Sequence, residues 1–166
     1  MDIILNRRSI RKYTDQEVSD SDIHDLLKAG MSAPSAGNQQ PWHFIIIEDK
    51  EILQKIPDIH PYAGMAAQAP RALLVCGDLS EETSPGFWVQ DCSAATQNIL
   101  LAAESKGLGA VWAGIYPRED RVKNFTELFN LPEQVIPFSI IPVGYPAEEK
   151  GRADRFKEER IHKNKW

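Results

Sequence analysis

Four cations, Arg7, Arg8, Arg11 and Lys12, fall within six residues, with Ser9 among them as a hydroxyl donor. A guanidinium presents a planar fork of N–H donors that matches phosphate oxygens two at a time, and two such forks can neutralise a phosphomonoester. The segment is therefore a candidate phosphate clamp, although a run of like charge is more often only a solvated face. A second stretch, Pro34 to Pro41 (PSAGNQQP), joins small residues that permit close backbone approach, among them Ala36, to the neutral donors and acceptors Ser35, Asn38 and Gln40. That mixture suits a flat polar heterocycle, and it equally suits a turn in which Asn38 caps local backbone groups. A third candidate, Ala113-Gly114, can bring backbone N–H groups against a planar ligand where a side chain would clash, or can simply end a strand.

Other chemistries find little support. His24, His43, His60 and His162 share no spacing with a nucleophile or with one another, so no histidine is expected to act as a base. No GxSxG, HExxH, Walker A or GxGxxG element occurs, and Gly107-Leu108-Gly109 lacks a third glycine and follows a helix. Cys76 and Cys92 lack CxxC spacing and are expected to be buried free thiols, with no metal site and no disulfide framework. The balance of 19 basic and 24 acidic residues, net −5, argues against nucleic acid or an anionic membrane as a partner. The apolar run Ile3 to Leu5 is too short for a signal peptide and no stretch reaches the ~20 residues of a membrane span, so a soluble cytoplasmic protein is expected.

The elements that must position these residues read as one domain of 166 residues. Caps at Ser19 to Asp22 and the recurrence of Ile23, Leu26, Leu27 and Met31 predict a core-facing helix that stops at Ala33-Pro34. Trp42 to Ile47 reads as a buried strand. Lys50 to Ile56 and Tyr62 to Ala69 read as short helices separated by Pro57 and Pro61. Further strands are expected over Ala72 to Cys76, Ala110 to Ile115 and Val135 to Val143. In the last of these, Pro137 and Pro142 imply an edge or a bulge. The longest helix, Phe87 to Lys106, carries a broad small-residue stripe through Val89, Cys92, Ala95, Thr96, Ile99, Leu100 and Ala103, widened by Ala94 and Ala102, and can be approached closely on more than one side. A shorter helix spans Glu119 to Phe125. The charged tail ends on Ile161 and Trp166, apolar residues expected to dock on a surface such as a partner subunit's. The pattern is that of an α+β domain.

Five segments in order, RRSIRKY from Arg7, APSAGNQQPWHFIII from Ala33, APRALLVCGD from Ala69, AATQNILLAAESKGLGAVWAGI from Ala94 and PVGYP from Pro142, resemble the nitroreductase family over nearly the whole chain. The resemblance implies an α+β fold with a mixed, mostly antiparallel sheet flanked by helices, and an intertwined homodimer with FMN at the subunit interface and the long helix forming much of that interface. It assigns the phosphate and ribityl chain to Arg7, Arg8, Ser9 and Arg11. It assigns the partner's loop along the flavin to Pro34, Ser35, Ala36 and Asn38, with Gln40 beside them, and the backbone facing N5 to Ala113 and Gly114. It also assigns Arg152 and Arg155 of the tail to the completion of the phosphate site. The implied activity is hydride transfer from NADH or NADPH through FMN to an electron-poor small molecule such as a nitroarene or quinone. A flavin-binding protein without turnover, or a specialised chemistry such as reductive dehalogenation, are the alternatives. Two departures stand out. The chain is too short for the inserted helices that shape the pocket in larger relatives, and the segment HPYAGMAAQAP offers no Lys for the flavin pyrimidine, leaving Gln68 or a backbone group to substitute.

Overall fold

The computed structural model describes residues 1–166. A short exposed helix, α1 (Asp2–Asn6), precedes α2 (Asp20–Met31), whose start is capped by the Ser19 hydroxyl accepting the Asp22 N–H at 3.0 Å. β1 (Trp42–Ile47) leads into α3 (Lys50–Ile59), capped by Asp49. α3 continues past Pro57, beyond the expected stop at Ile56. The proline removes only its own N–H, the His60 N–H still closes the last turn on the Ile56 carbonyl at 2.9 Å, and burial of Leu53 and Ile56 holds the helix down. The helix expected over Tyr62 to Ala69 is instead a 3₁₀ stretch, Gly64–Gln68. Prolines at 61 and 70 leave too few residues for an α-helical nucleus to propagate, and tighter bonds such as Ala66 N–H to Ala63 O (2.9 Å) take over.

β2 (Arg71–Asp78), the long helix α4 (Trp88–Ser105), the two-residue strands β3 (Gly109–Ala110) and β4 (Ala113–Gly114), α5 (Glu119–Phe129) and β5 (Val135–Gly144) complete the fold. The sheet order is β1-β2-β5-β3, with β4 also on β5, and these pairs are antiparallel. An isolated parallel bridge from Ser9 to Ala110 makes the sheet mixed. The α+β architecture is thus as expected. Alternate residues of β2 divide two cores: Leu73 and Val75 pack with Ile23 and Leu26 of α2 and Cys92 and Ile99 of α4, while Ala72, Leu74 and Cys76 pack with Leu53 and Ile56 of α3 and Phe125 of α5. No helix is long and apolar enough to cross a membrane.

β5 is central, not an edge, and the alternative of a bulge holds: each of its prolines lies beside an interruption of the ladder. Pro137 meets β2 at Cys76, and the register shift there, Val75 on Ser139 and Cys76 on Pro137, leaves Phe138 as the extra residue of a bulge in β5 itself. On the β3–β4 side the same register places Val111 and Trp112 opposite Pro142 and Ile141, and there the expected continuous strand Ala110 to Ile115 breaks in two. The small-residue stripe of α4 is already consumed within one chain: Cys92, Ala95, Thr96, Ile99 and Ala103 are at 0% exposure against the protein's own sheet and α2, while Ala94 and Ala102 on the other side stay half-buried. The beginning of the tail is tied to the N-terminal segment, with Ala147 N–H on Lys12 O at 2.9 Å and the Lys150 ammonium on Ser9 O at 2.7 Å, and Phe156, Ile161 and Trp166 are exposed on the single chain.

Candidate functional site

The N-terminal segment lies beside β3 because Ile10 fills the space a side chain at Gly109 would need: a Cβ there would come within 2.6 Å of Ile10 Cγ2. The Ile10 N–H donates to the Ala110 carbonyl at 3.1 Å, and the chain is locked on its other side by the Arg11 N–H to Glu148 Oε1 at 2.6 Å. So fixed, the cations expected to form one clamp separate into three places.

Arg7 lines a cleft of about 540 Å³ with Arg152 and Arg155 of the tail, closed by Ile4, Leu5 and Phe156. Three guanidinium groups there face one carboxylate, Asp154. Burial first, and then the charge of Arg155, pushes the pKa of Arg7 down against the opposing charge of Glu104. Arg8 turns away and donates to the Gly151 carbonyl, so it ties the tail down. Ser9 gives its backbone to the bridge with Ala110 and to Lys150.

Arg11 opens on a second hollow of about 350 Å³, which it shares with His60, Tyr62, Trp112, Gly114 and Arg121. Ala113 lines it as well. The Ile115 N–H reaches the Phe138 carbonyl of β5 at 3.0 Å, so by strand alternation the N–H and C=O of Gly114 point away from the sheet. The Gly114 carbonyl accepts from Arg121 Nη1 at 2.8 Å and from His60 Nε2 at 2.9 Å. His60 Nδ1 accepts the Tyr62 N–H at 3.2 Å, which assigns the proton of the neutral ring to Nε2. Burial, chiefly, and the Arg121 charge hold the His60 pKa below its ordinary value. The Arg121 guanidinium stands 5.4 Å from the Tyr62 ring centroid, and its buried Nε has no hydrogen-bond partner. A Cβ built on Gly114 meets no protein atom closer than the Tyr116 carbonyl at 4.0 Å, so nothing in the chain itself requires glycine there.

The loop of Pro34, Ser35, Ala36, Asn38 and Gln40 lines neither hollow. Its polar groups bond one another, Gln40 N–H to Ser35 Oγ at 3.0 Å and Gln40 Nε2 to Asn38 Oδ1 at 2.9 Å. It is anchored by Asp91, a buried carboxylate near the start of α4 that accepts the Ala36 N–H at 3.0 Å and Gln39 Nε2 at 2.6 Å. Gln39 Oε1 in turn takes the Thr83 and Ser84 N–H groups at 3.0 and 2.9 Å. Gln68 lies in a separate hollow with Glu48 and Arg71.

His60, Arg121 and Asp91 were not singled out in the sequence. Their partners lie 54, 7 and 55 residues away, and no spacing rule joins them. The thiols offer no nucleophile, since burial pushes Cys76 up to about 12 and Cys92 higher still. His43, Asp78 and Glu81 bring ligand atoms within 4.8 Å of one another at the surface, but Asp78 is already used by the N–H and hydroxyl of Ser80. The arrangement can hold an anion at one end and a planar group at the other. It supplies no side chain poised as nucleophile or general base.

A family model described as Nitroreductase family matches residues 4–63 and 60–145 of the chain. A protein of Methanothermobacter thermautotrophicus, provisionally named an NADH dehydrogenase/NAD(P)H nitroreductase, is 57% identical over 166 residues, covering 100% of this chain and 87% of its own. The crystal structure of a provisionally named NADH oxidase from Clostridium acetobutylicum matches with a TM-score of 0.97 at 48% identity, over 99% of this chain and 100% of the other. A provisionally named nitroreductase from Desulfovibrio desulfuricans, solved in complex with FMN, matches with a TM-score of 0.86 at 30% identity, over 99% and 96% of the two chains.

Proposed function

Because the chain belongs to the nitroreductase family and is an oxidoreductase, we propose that it binds FMN between the two hollows and uses it to pass a hydride from NADH or NADPH to an electron-poor small molecule such as a nitroarene or quinone. The observation that carries this reading is the pairing of a cation-rich cleft at Arg7, Arg152 and Arg155 with a hollow that presents the free Gly114 N–H. Residues 7 to 11 connect them, a span of at most about 14 Å for an extended chain, within reach of one elongated ligand. The residues fit the cofactor on three counts. The cleft gathers cations suited to a phosphomonoester, Gly114 leaves open space where a Cβ would stand, and Arg121 keeps an orphaned buried donor beside it. FMN, when bound, supplies the hydride chemistry. The chain's own part is to bind, orient and exclude water: Arg7 and Arg155 for the phosphate, Gly114 for the ring edge, and Trp112 and Tyr116 as the apolar wall.

A homodimer completes the site in this reading. Ser35 and Asn38 face neither hollow of their own chain, so a second copy would supply them. The exposed Ile4 and Phe156 and the outer side of α4 at Ala94 and Leu101 are the surfaces available to it. Anaerobic addition of NADH, then NADPH, to the FMN-loaded protein tests turnover. Bleaching of the long-wavelength flavin band followed by its return on adding a quinone is expected, and a flavin that stays oxidised with both donors rejects the reading. Sedimentation followed at the flavin band tests the dimer. A flavin-bearing species at the single-chain mass of 18.7 kDa contradicts it, whereas Ala94→Glu is expected to release flavin and dissociate together.

A further inference from the structure

Arg121 and His60 converge on one carbonyl. Gly114 O accepts Arg121 Nη1 at 2.8 Å and His60 Nε2 at 2.9 Å, and the two donors lie 3.5 Å apart. Two N–H donors crowded on one carbonyl oxygen at the exposed end of a two-residue strand exceed what pairing with β5 requires, since β4 already reaches β5 through the Ile115 N–H. The His60 ring is fixed from behind by the Tyr62 N–H and is 1% exposed, so it cannot swing away. The Arg121 guanidinium makes no ion pair with a carboxylate; its neighbours are Gly114 O, the neutral His60 and the face of Tyr62. Its Nε is buried and unbonded. An unneutralised, partly desolvated cation thus lines the same hollow into which the Gly114 N–H is turned.

Resting on the FMN reading above, we propose that Arg121 and His60 are positioning residues for the backbone at Gly114, and that Arg121 sets how strongly the site prefers reduced over oxidised FMN. Hydride uptake adds negative charge to the ring system, and a fixed cation in a poorly solvated hollow favours the more negative state. Two donors on Gly114 O hold the Gly114–Ile115 peptide in place, and with it the residue whose own N–H, in the preceding peptide unit, faces the hollow. The role is distinct from that of Arg7 and Arg155, which lie in the other cleft and act on the phosphate alike in both oxidation states.

The test is the reduction potential of bound FMN, measured on the intact protein against a reference dye, together with the affinity for oxidised FMN and the far-ultraviolet circular dichroism of each variant. Arg121→Met is expected to lower the preference for reduced FMN at least tenfold, a shift of ~30 mV to more negative potential for a two-electron couple. Arg121→Lys keeps the charge and should restore most of that shift, a rescue that mere packing would not give. His60→Gln retains an N–H for Gly114 and should move the potential less than Arg121→Met while weakening FMN. Arg7→Met should weaken FMN with little change in potential. FMN bound to Arg121→Met at the parental potential overturns the inference and leaves the FMN reading standing. Should Arg121→Met fail to fold or to bind, an Arg121→Lys potential shifted as far as that of Arg7→Met or less supports the inference, and one shifted at least tenfold overturns it. A parent protein that takes up no FMN overturns both.

Discussion

Removing the Asp91 carboxylate separates the anchoring of the polar loop from everything else the loop does. In Asp91→Ala the Ala36 N–H and the Gln39 amide lose an acceptor at 3.0 and 2.6 Å, at a position only 4% exposed. A hydrogen bond to a charged group contributes about 1.5–3 kcal/mol, and the larger share belongs to Ala36, whose N–H has no side-chain freedom with which to find water. Half-buried Gln39 can recover part of its bond from solvent, and the favourable placement of a carboxylate in the first turn of α4 is lost as well. The expected loss is about 2–4 kcal/mol, which for a chain of this size lowers Tm by roughly 4–16 °C. Asp91→Asn retains one acceptor but turns an NH₂ toward a donor, so it should fall between the two. Urea unfolding gives the first quantity. Titration of FMN gives the second, because in the homodimer proposed above Ser35 and Asn38 would reach the partner's flavin only while the loop is anchored, and a tenfold or greater weakening is expected. An Asp91→Ala protein within about 0.5 kcal/mol of the parent refutes the anchoring, a change no larger than ordinary surface substitutions produce. A destabilised variant with parental FMN affinity refutes the link from loop to site.

Three further outcomes follow from the geometry. Arg155→Ala should weaken FMN roughly ten- to a hundredfold, the equivalent of one charge-assisted bond, and leave riboflavin unaffected; equal losses for both flavins in a titration would remove the phosphate from that cleft. Gly114→Val should fold normally, since its Cβ has 4.0 Å to the nearest protein atom, yet elute colourless from gel filtration after FMN loading, and a yellow Val variant would show that the ring edge lies elsewhere. Because His60 has its pKa lowered in the folded chain, the unfolded chain takes up the proton first; its contribution to stability is complete above the ordinary histidine pKa of about 6.5 and is lost as pH falls from there toward the folded value. Urea unfolding at stepped pH should show this loss in the parent and not in His60→Gln, and a parent as steep as the variant contradicts it.

The fold was legible where one residue type has one local consequence. Ser19 and Asp49 cap helices, the β-branched run from Trp42 makes a strand, and Gly107 ends α4. The clamp was legible in composition and not in arrangement. Arg7, Arg8 and Arg11 are adjacent in sequence, but fixing Ile10 against Gly109 in an extended segment sends their side chains to different places. The tail residues Arg152 and Arg155 were read only through resemblance, and the folded tail brings them to Arg7. His60 and Arg121 were invisible because they meet through the backbone of a third element, and a histidine without a spaced partner looks inert until the carbonyl it holds is seen. The stripe through Ala95 was legible as a signal of close approach, and the surface that approaches it within one chain is the chain's own sheet and α2.

The two prolines of β5 have a consequence for how the sheet finds its pairing. β5 is buried almost throughout, so both of its faces are apolar and a slip by two residues would return every side chain to a face of similar character. Hydrophobic patterning therefore discriminates poorly among registers. Pro137 and Pro142 discriminate well, because each cancels a donor at a set point of the strand and the ladder is interrupted at matching points, by the bulge at Phe138 opposite Val75 and Cys76 and by the break at Val111 and Trp112. The strand works like a key with two notches cut five residues apart. Only one alignment sets both notches against the interruptions that tolerate them, and any other leaves an acceptor in a dry interior with nothing to receive. That same alignment leaves the β3–β4 gap facing Arg11 and the Gly114 hollow.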